Sequence, residues 1–174
     1  LIGVNVLDKL ATTDQIKTQY DKNINQLIPE NKDLEKTHIQ ITDNINDTNN
    51  IRNINEMKTT MYSSLTNKYY NNFYWNEINN DNPYRNGTII SGTDNILYNI
   101  YTNTKNYITK EKPPIEYQLV KQLGNYKLYQ NNDTFKTIYA SKKLMSKKEY
   151  DNLKQPYKTE ALLNYTIVNN DNIK

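Results

Sequence analysis

The sequence contains no cysteine, a single histidine (His38), a single tryptophan (Trp75) and only four glycines in 174 residues. The missing thiols exclude disulfides, thiolate catalysis and cysteine-based zinc sites. One histidine cannot form a histidine metal cluster. Glycines at 3, 87, 92 and 124 are too sparse for a phosphate-cradling loop. Ser91-Gly92 lacks the second flanking glycine of a nucleophile elbow. No run reaches the ~18 apolar residues that mark a bilayer span, and no signal peptide is visible. The carboxylates Glu56, Glu77, Asp81 and Asp94 are scattered, so no acid–base pair is assigned. Asp43 and Asp47 supply oxygen ligands but lack the spacing and glycine of a calcium loop. No catalytic residue, metal or cofactor is expected.

What is abundant is tyrosine, at 16 residues, and asparagine, at 30. Disordered chains are poor in aromatics and β-branched residues, so a folded domain with a tyrosine-rich core is expected. Asn, Lys, Ile and Tyr share AT-rich codons, and only Arg52 and Arg85 are arginines. That composition points to a low-GC bacterium. The net charge is +3, from 22 basic and 19 acidic residues with the signs interspersed. A nucleic-acid surface clusters its cations, so no nucleic-acid partner is expected.

Periodicity predicts an amphipathic helix over 14–28, with Ile16, Tyr20, Ile24, Leu27 and Ile28 on one face, a Thr12–Gln15 capping box and Pro29 as its stop. A strand is expected over 37–42 and an Asn-rich loop or irregular edge over 43–56. From Asn67 a helix would carry Tyr70, Phe73, Tyr74 and Ile78 on one face. A loop over 81–93, a helix over 94–101 and a strand over 105–109 follow. Residues 117–123 and 126–129 flank Gly124-Asn125, a hairpin signal. Residues 134–140 alternate like a further strand. Ser146 and Glu149 form a capping box for a helix to about Leu153, Pro156 opens another through Leu163, and 165–168 is a closing strand. The fold class expected is α+β, a mostly antiparallel sheet with flanking helices in one domain over 1–174. Its parts are 1–56 (helix, strand, Asn-rich segment), 57–112 (aromatic-rich) and 113–174 (hairpin, strand, short helices).

The aromatic run 69–75 has two readings. Its rings belong to the core, or they grip a sugar or partner. On the second reading Lys68, Tyr69, Asn72, Trp75 and Asn76 form the ligand or partner surface, with the lysine and asparagines supplying hydrogen bonds. His38 is expected to be a satisfied or surface histidine.

Several segments match, in order, a known pattern. They are Met61-Tyr-Ser-Ser-Leu-Thr-Asn67, Asp94-Asn-Ile-Leu-Tyr-Asn-Ile-Tyr101 with Asn106-Tyr-Ile108, Tyr126-Lys-Leu-Tyr-Gln-Asn131, Phe135-Lys-Thr-Ile-Tyr139, Met145-Ser-Lys-Lys-Glu-Tyr-Asp151 and Glu160-Ala-Leu-Leu-Asn164. In this succession the chain resembles the bacterial YfhO family of integral membrane proteins. The resemblance implies an extracellular domain of a polytopic transmembrane protein of the cell membrane, lying on the extracytoplasmic side. The parent would be a lipid-sugar-dependent glycosyltransferase acting on polymers such as lipoteichoic acid, with its catalytic residues outside this chain. The domain would be accessory or acceptor-recognising, its partners the parent's transmembrane region and a cell-wall polymer or lipid-linked sugar. The alternative is a free-standing surface module, without catalytic activity, that binds carbohydrate or protein.

Overall fold

The computed structural model describes residues 13–14, 17, 20–30, 33–42, 45–46, 52, 56–62, 67–78, 88–90 and 95–169. The Thr12–Gln15 capping box, Asp43, Asp47, Asp81, Asp94 and Ser91-Gly92 lie outside them.

Capping side chains fix where the helices start. In α1 (Lys22–Leu27) the Asp21 carboxylate accepts from Asn23 N at 2.8 Å, and the extended residue Ile28 ends the helix before Pro29. Helix α2 (Lys68–Asn72) begins where Asn67 Oδ1 accepts from Tyr69 N and Tyr70 N, and it runs on as a π-helical turn over Phe73–Glu77. Asn95 Oδ1 accepts from Tyr98 N to start α3 (Ile96–Tyr101). The Ser146–Glu149 box opens α4 (Lys147–Asn152) as the sequence predicts, and Pro156 precedes α5 (Tyr157–Asn164).

The strands are β1 (Lys36–Thr42), β2 (Ile45–Asn46), β3 (Met57–Lys58), β4 (Thr60–Tyr62), β5 (Thr88–Ile90), β6 (Asn106–Thr109), β7 (Gln118–Leu123), β8 (Tyr126–Gln130), β9 (Leu144–Ser146) and β10 (Thr166–Val168). The main sheet runs β2-β1-β6-β8-β7, with β3 branching off β1. β1 pairs in parallel with β6 and β3, while β2–β1, β6–β8 and β8–β7 are antiparallel. β9 and β10 form a separate parallel pair, and β4 and β5 an antiparallel one. The architecture is a mixed α/β fold with flanking helices. The parallel β1–β6 pairing depends on contacts between residues about 70 apart in sequence, which periodicity does not report.

One difference from the sequence reading matters for function. Residues 134–140 are irregular instead of a strand. Both edges of β8 are already paired, with β6 and β7, so the segment that follows it has no ladder to join there. It is tied instead by Phe135 N to Ile100 O at 2.9 Å, Thr134 Oγ1 to Asn103 Oδ1 at 3.0 Å and Thr137 Oγ1 to Leu34 O at 3.0 Å.

Two apolar clusters hold the fold. Ile24 and Leu27 of α1 pack on Ile39, Ile41, Ile108, Tyr126 and Leu128 of the sheet. Tyr74, Ile78, Tyr98, Tyr150, Ala161 and Leu162 form the second, with Tyr70, Phe73, Trp75, Tyr101, Met145, Leu153 and Ile167 around it. Tyrosine fills this second core, and the rings keep their hydroxyls bonded: Tyr70 and Tyr98 share a 2.5 Å hydrogen bond. Burial pushes the Tyr70 hydroxyl up to about 12.

The expectation that membrane and transmembrane describe this chain is corrected. Among the described residues no helix is long and apolar enough to cross a membrane. The described helical segments have five to eight residues each, α2 and its π turn adjoining, and the apolar share of the sequence is 36%. A bilayer span needs ~20 mostly apolar residues.

Candidate functional site

The five residues singled out from sequence divide between two environments. Lys68, Tyr69, Asn72 and Asn76 are exposed along α2 and its π turn. Tyr69 is 76% exposed, with Lys68 Nζ 5.4 Å from its ring centroid. Asn76 Nδ2 donates to Asn72 Oδ1 at 2.8 Å, and Asn72 Nδ2 donates to Glu77 Oε1 at 3.0 Å. Trp75 is half-buried and packs edge-on against Tyr74, with ring centroids 4.8 Å apart. It belongs to the rim of the second core.

Glu77 is the hub beneath this surface. Its carboxylate accepts from Tyr150 Oη at 2.9 Å and Lys158 Nζ at 3.1 Å, with Lys147 Nζ 3.8 Å away. Burial disfavours its charge, but the Tyr150 and Lys158 hydrogen bonds and the two lysine charges outweigh that and hold the carboxyl below its ordinary value. The Tyr150 hydroxyl is pushed up by burial, then by its hydrogen bond to Glu77 and by that carboxylate's charge. The hub binds three helical segments together and leaves no oxygen of the carboxylate unpaired.

His38 is fully buried on β1. Its Nδ1 lies 2.8 Å from Thr59 Oγ1, and its ring stacks at a tilt on Tyr107, 4.7 Å between centroids. Among the described residues no group of three His, Asp or Glu side chains is arranged to hold a metal ion.

A site that the sequence reading missed borders the second core at Leu162. The irregular segment after β8 and the end of α5 with the start of β10 enclose a cleft of about 340 Å³. That volume lies at the small end of ligand pockets. Phe135, Tyr139 and Tyr165 supply rings, and Lys136, Ser141 and Asn164 supply polar groups. Phe135 sits 5.7 Å from Tyr139 and 6.0 Å from Tyr101 between ring centroids, so the aromatic wall continues into the core. Tyr139 is 50% and Tyr165 40% exposed. Asn164 Nδ2 donates to Glu160 O at 2.9 Å, which fixes the side chain and leaves its Oδ1 as an acceptor. Ser141 is pinned by paired hydrogen bonds with the backbone of Lys143. The signal available in the sequence was the pair of aromatics in Phe135-Lys-Thr-Ile-Tyr139, which alternation assigned to a strand face.

No protein-family model, no curated protein and no solved structure matches this chain.

Proposed function

We propose that this chain is a recognition module for carbohydrate of the cell envelope, with no catalytic centre of its own. The observation that carries the reading is the cleft of Phe135, Tyr139 and Tyr165 beside Lys136 and Asn164. Sugar rings present apolar C–H faces together with hydroxyls, and aromatic walls with a few fixed polar groups suit both. Phe135 and, through it, Tyr139 are anchored by Tyr101 to the second core, so little freedom of these two side chains is lost on binding. The narrower role, an acceptor-recognition domain serving a glycosyltransferase and lying as one domain on the extracytoplasmic side in a low-GC bacterium, draws its support from the ordered segments quoted above and from composition.

The test is a calorimetric titration of the chain with fragments of envelope polysaccharide. Tyr139→Ala is expected to weaken binding at least tenfold, and Trp75→Ala to leave it within twofold. Unchanged affinity for Tyr139→Ala, or a loss confined to Trp75→Ala, overturns the cleft as the binding site.

A further inference from the structure

We infer that the saccharide taken by this cleft carries an anionic group, a phosphate or a carboxylate, and that Lys136 is the residue that selects it. The inference rests on the carbohydrate reading of the cleft and adds the charge of its occupant. Between Thr134 and Lys148 the sequence holds five lysines, at 136, 142, 143, 147 and 148, and neither Asp nor Glu. This lysine-rich stretch begins in the outer wall of the cleft, which runs over Thr134–Ser141.

The structure separates these lysines by role. Lys147 is committed to Glu77 and Asp151. Lys136 lines the cleft, and no carboxylate side chain occurs among the described residues lining it. Lys136, Lys142 and Lys143 are exposed and have no ion-pair partner among the described residues. A cation held at the mouth of a cleft whose walls carry no compensating carboxylate favours an anion there, and Lys142 and Lys143 extend the same potential along the approach. The aromatic rings take the apolar ring face while the ammonium takes the charged substituent.

The experiment is NMR titration of the intact chain with methyl glucoside, methyl glucuronide, glucose 6-phosphate and inorganic phosphate alone. Either anionic sugar is expected to bind about fivefold tighter than methyl glucoside, the size of one partly exposed ion pair. Which of the two binds tighter distinguishes phosphate from carboxylate. Lys136→Gln is expected to bring the anionic-to-neutral ratio close to one, whereas Lys154→Gln, at an exposed residue outside the cleft lining, leaves that ratio unchanged. Equal binding of the neutral and anionic sugars, with Tyr139→Ala still abolishing both, overturns the charge inference and leaves the carbohydrate reading standing. Inorganic phosphate binding as tightly as glucose 6-phosphate overturns the saccharide part. No binding of any sugar defeats both readings together.

Discussion

The Tyr150 hydroxyl donates to the Glu77 carboxylate at 2.9 Å across 73 residues of sequence. Lys147 and Lys158 place their ammonium groups 5.2 and 5.0 Å from the centroid of the same Tyr150 ring. The carboxylate, the phenol and the two cations therefore act as one unit. Removing the charge with Glu77→Gln leaves Lys158 without its counter-ion in a largely buried place, at an expected cost of about 1.5 kcal/mol at neutral pH. Because the folded carboxyl is held below its ordinary value of 4.5, its contribution is complete above that pH and is lost as the pH falls through the lowered folded value. Urea unfolding of wild type and variant should show a stability gap at pH 7 that narrows below pH 4.5. A gap that stays constant into acid would show that the charge contributes nothing.

Gly124 turns the β7–β8 hairpin at φ +57°, where an added Cβ would also meet Asn23 Nδ2 at 2.9 Å. The asparagine side chain can yield, so the backbone conformation is the main cost. Gly124→Ala is expected to lower stability by about 1 kcal/mol, and Gly124→Asn by less, since asparagine tolerates left-handed backbone better. Denaturant midpoints of the two variants check the order. Alanine equal to asparagine would contradict it.

On the α2 surface, Tyr69 and Trp75 should part company. Tyr69→Ala removes an exposed ring and is expected to change stability by less than about 0.5 kcal/mol. Trp75→Ala removes a half-buried ring from its contact with Tyr74 and is expected to cost about 2 kcal/mol. Equal thermal midpoints for the two variants would refute this division.

Local chemistry was the legible part. The hairpin around Gly124-Asn125, the Ser146–Glu149 box and the helical face carrying Tyr74 and Ile78 could each be read within a dozen residues. The parallel β1–β6 pairing could not, because its partners are set by chain reversal over distance. The asparagines were under-read. Read only as a mark of codon usage, they were given no structural role, but Asn67 and Asn95 cap helices, Asn103 holds positive φ and Asn131 closes a turn onto Asp133 N. The cleft was missed because Phe135 and Tyr139 are spaced as on one strand face, yet β8 has no free edge to accept them.

Asn103 links the loop before β6 to the outer wall of the cleft. Its Oδ1 accepts from Thr134, and its Nδ2 donates to Thr137 Oγ1 and to Leu34 O. Every described lining residue falls between Thr134 and Thr166, yet the points that hold the wall are Leu34, Ile100 and Asn103. A fragment from 113 onward would contain every described lining residue and lack Leu34, Ile100 and Asn103. The cleft is local in sequence and non-local in mechanics, so a substitution of the Asn103 side chain should alter the shape of a cleft that it does not line.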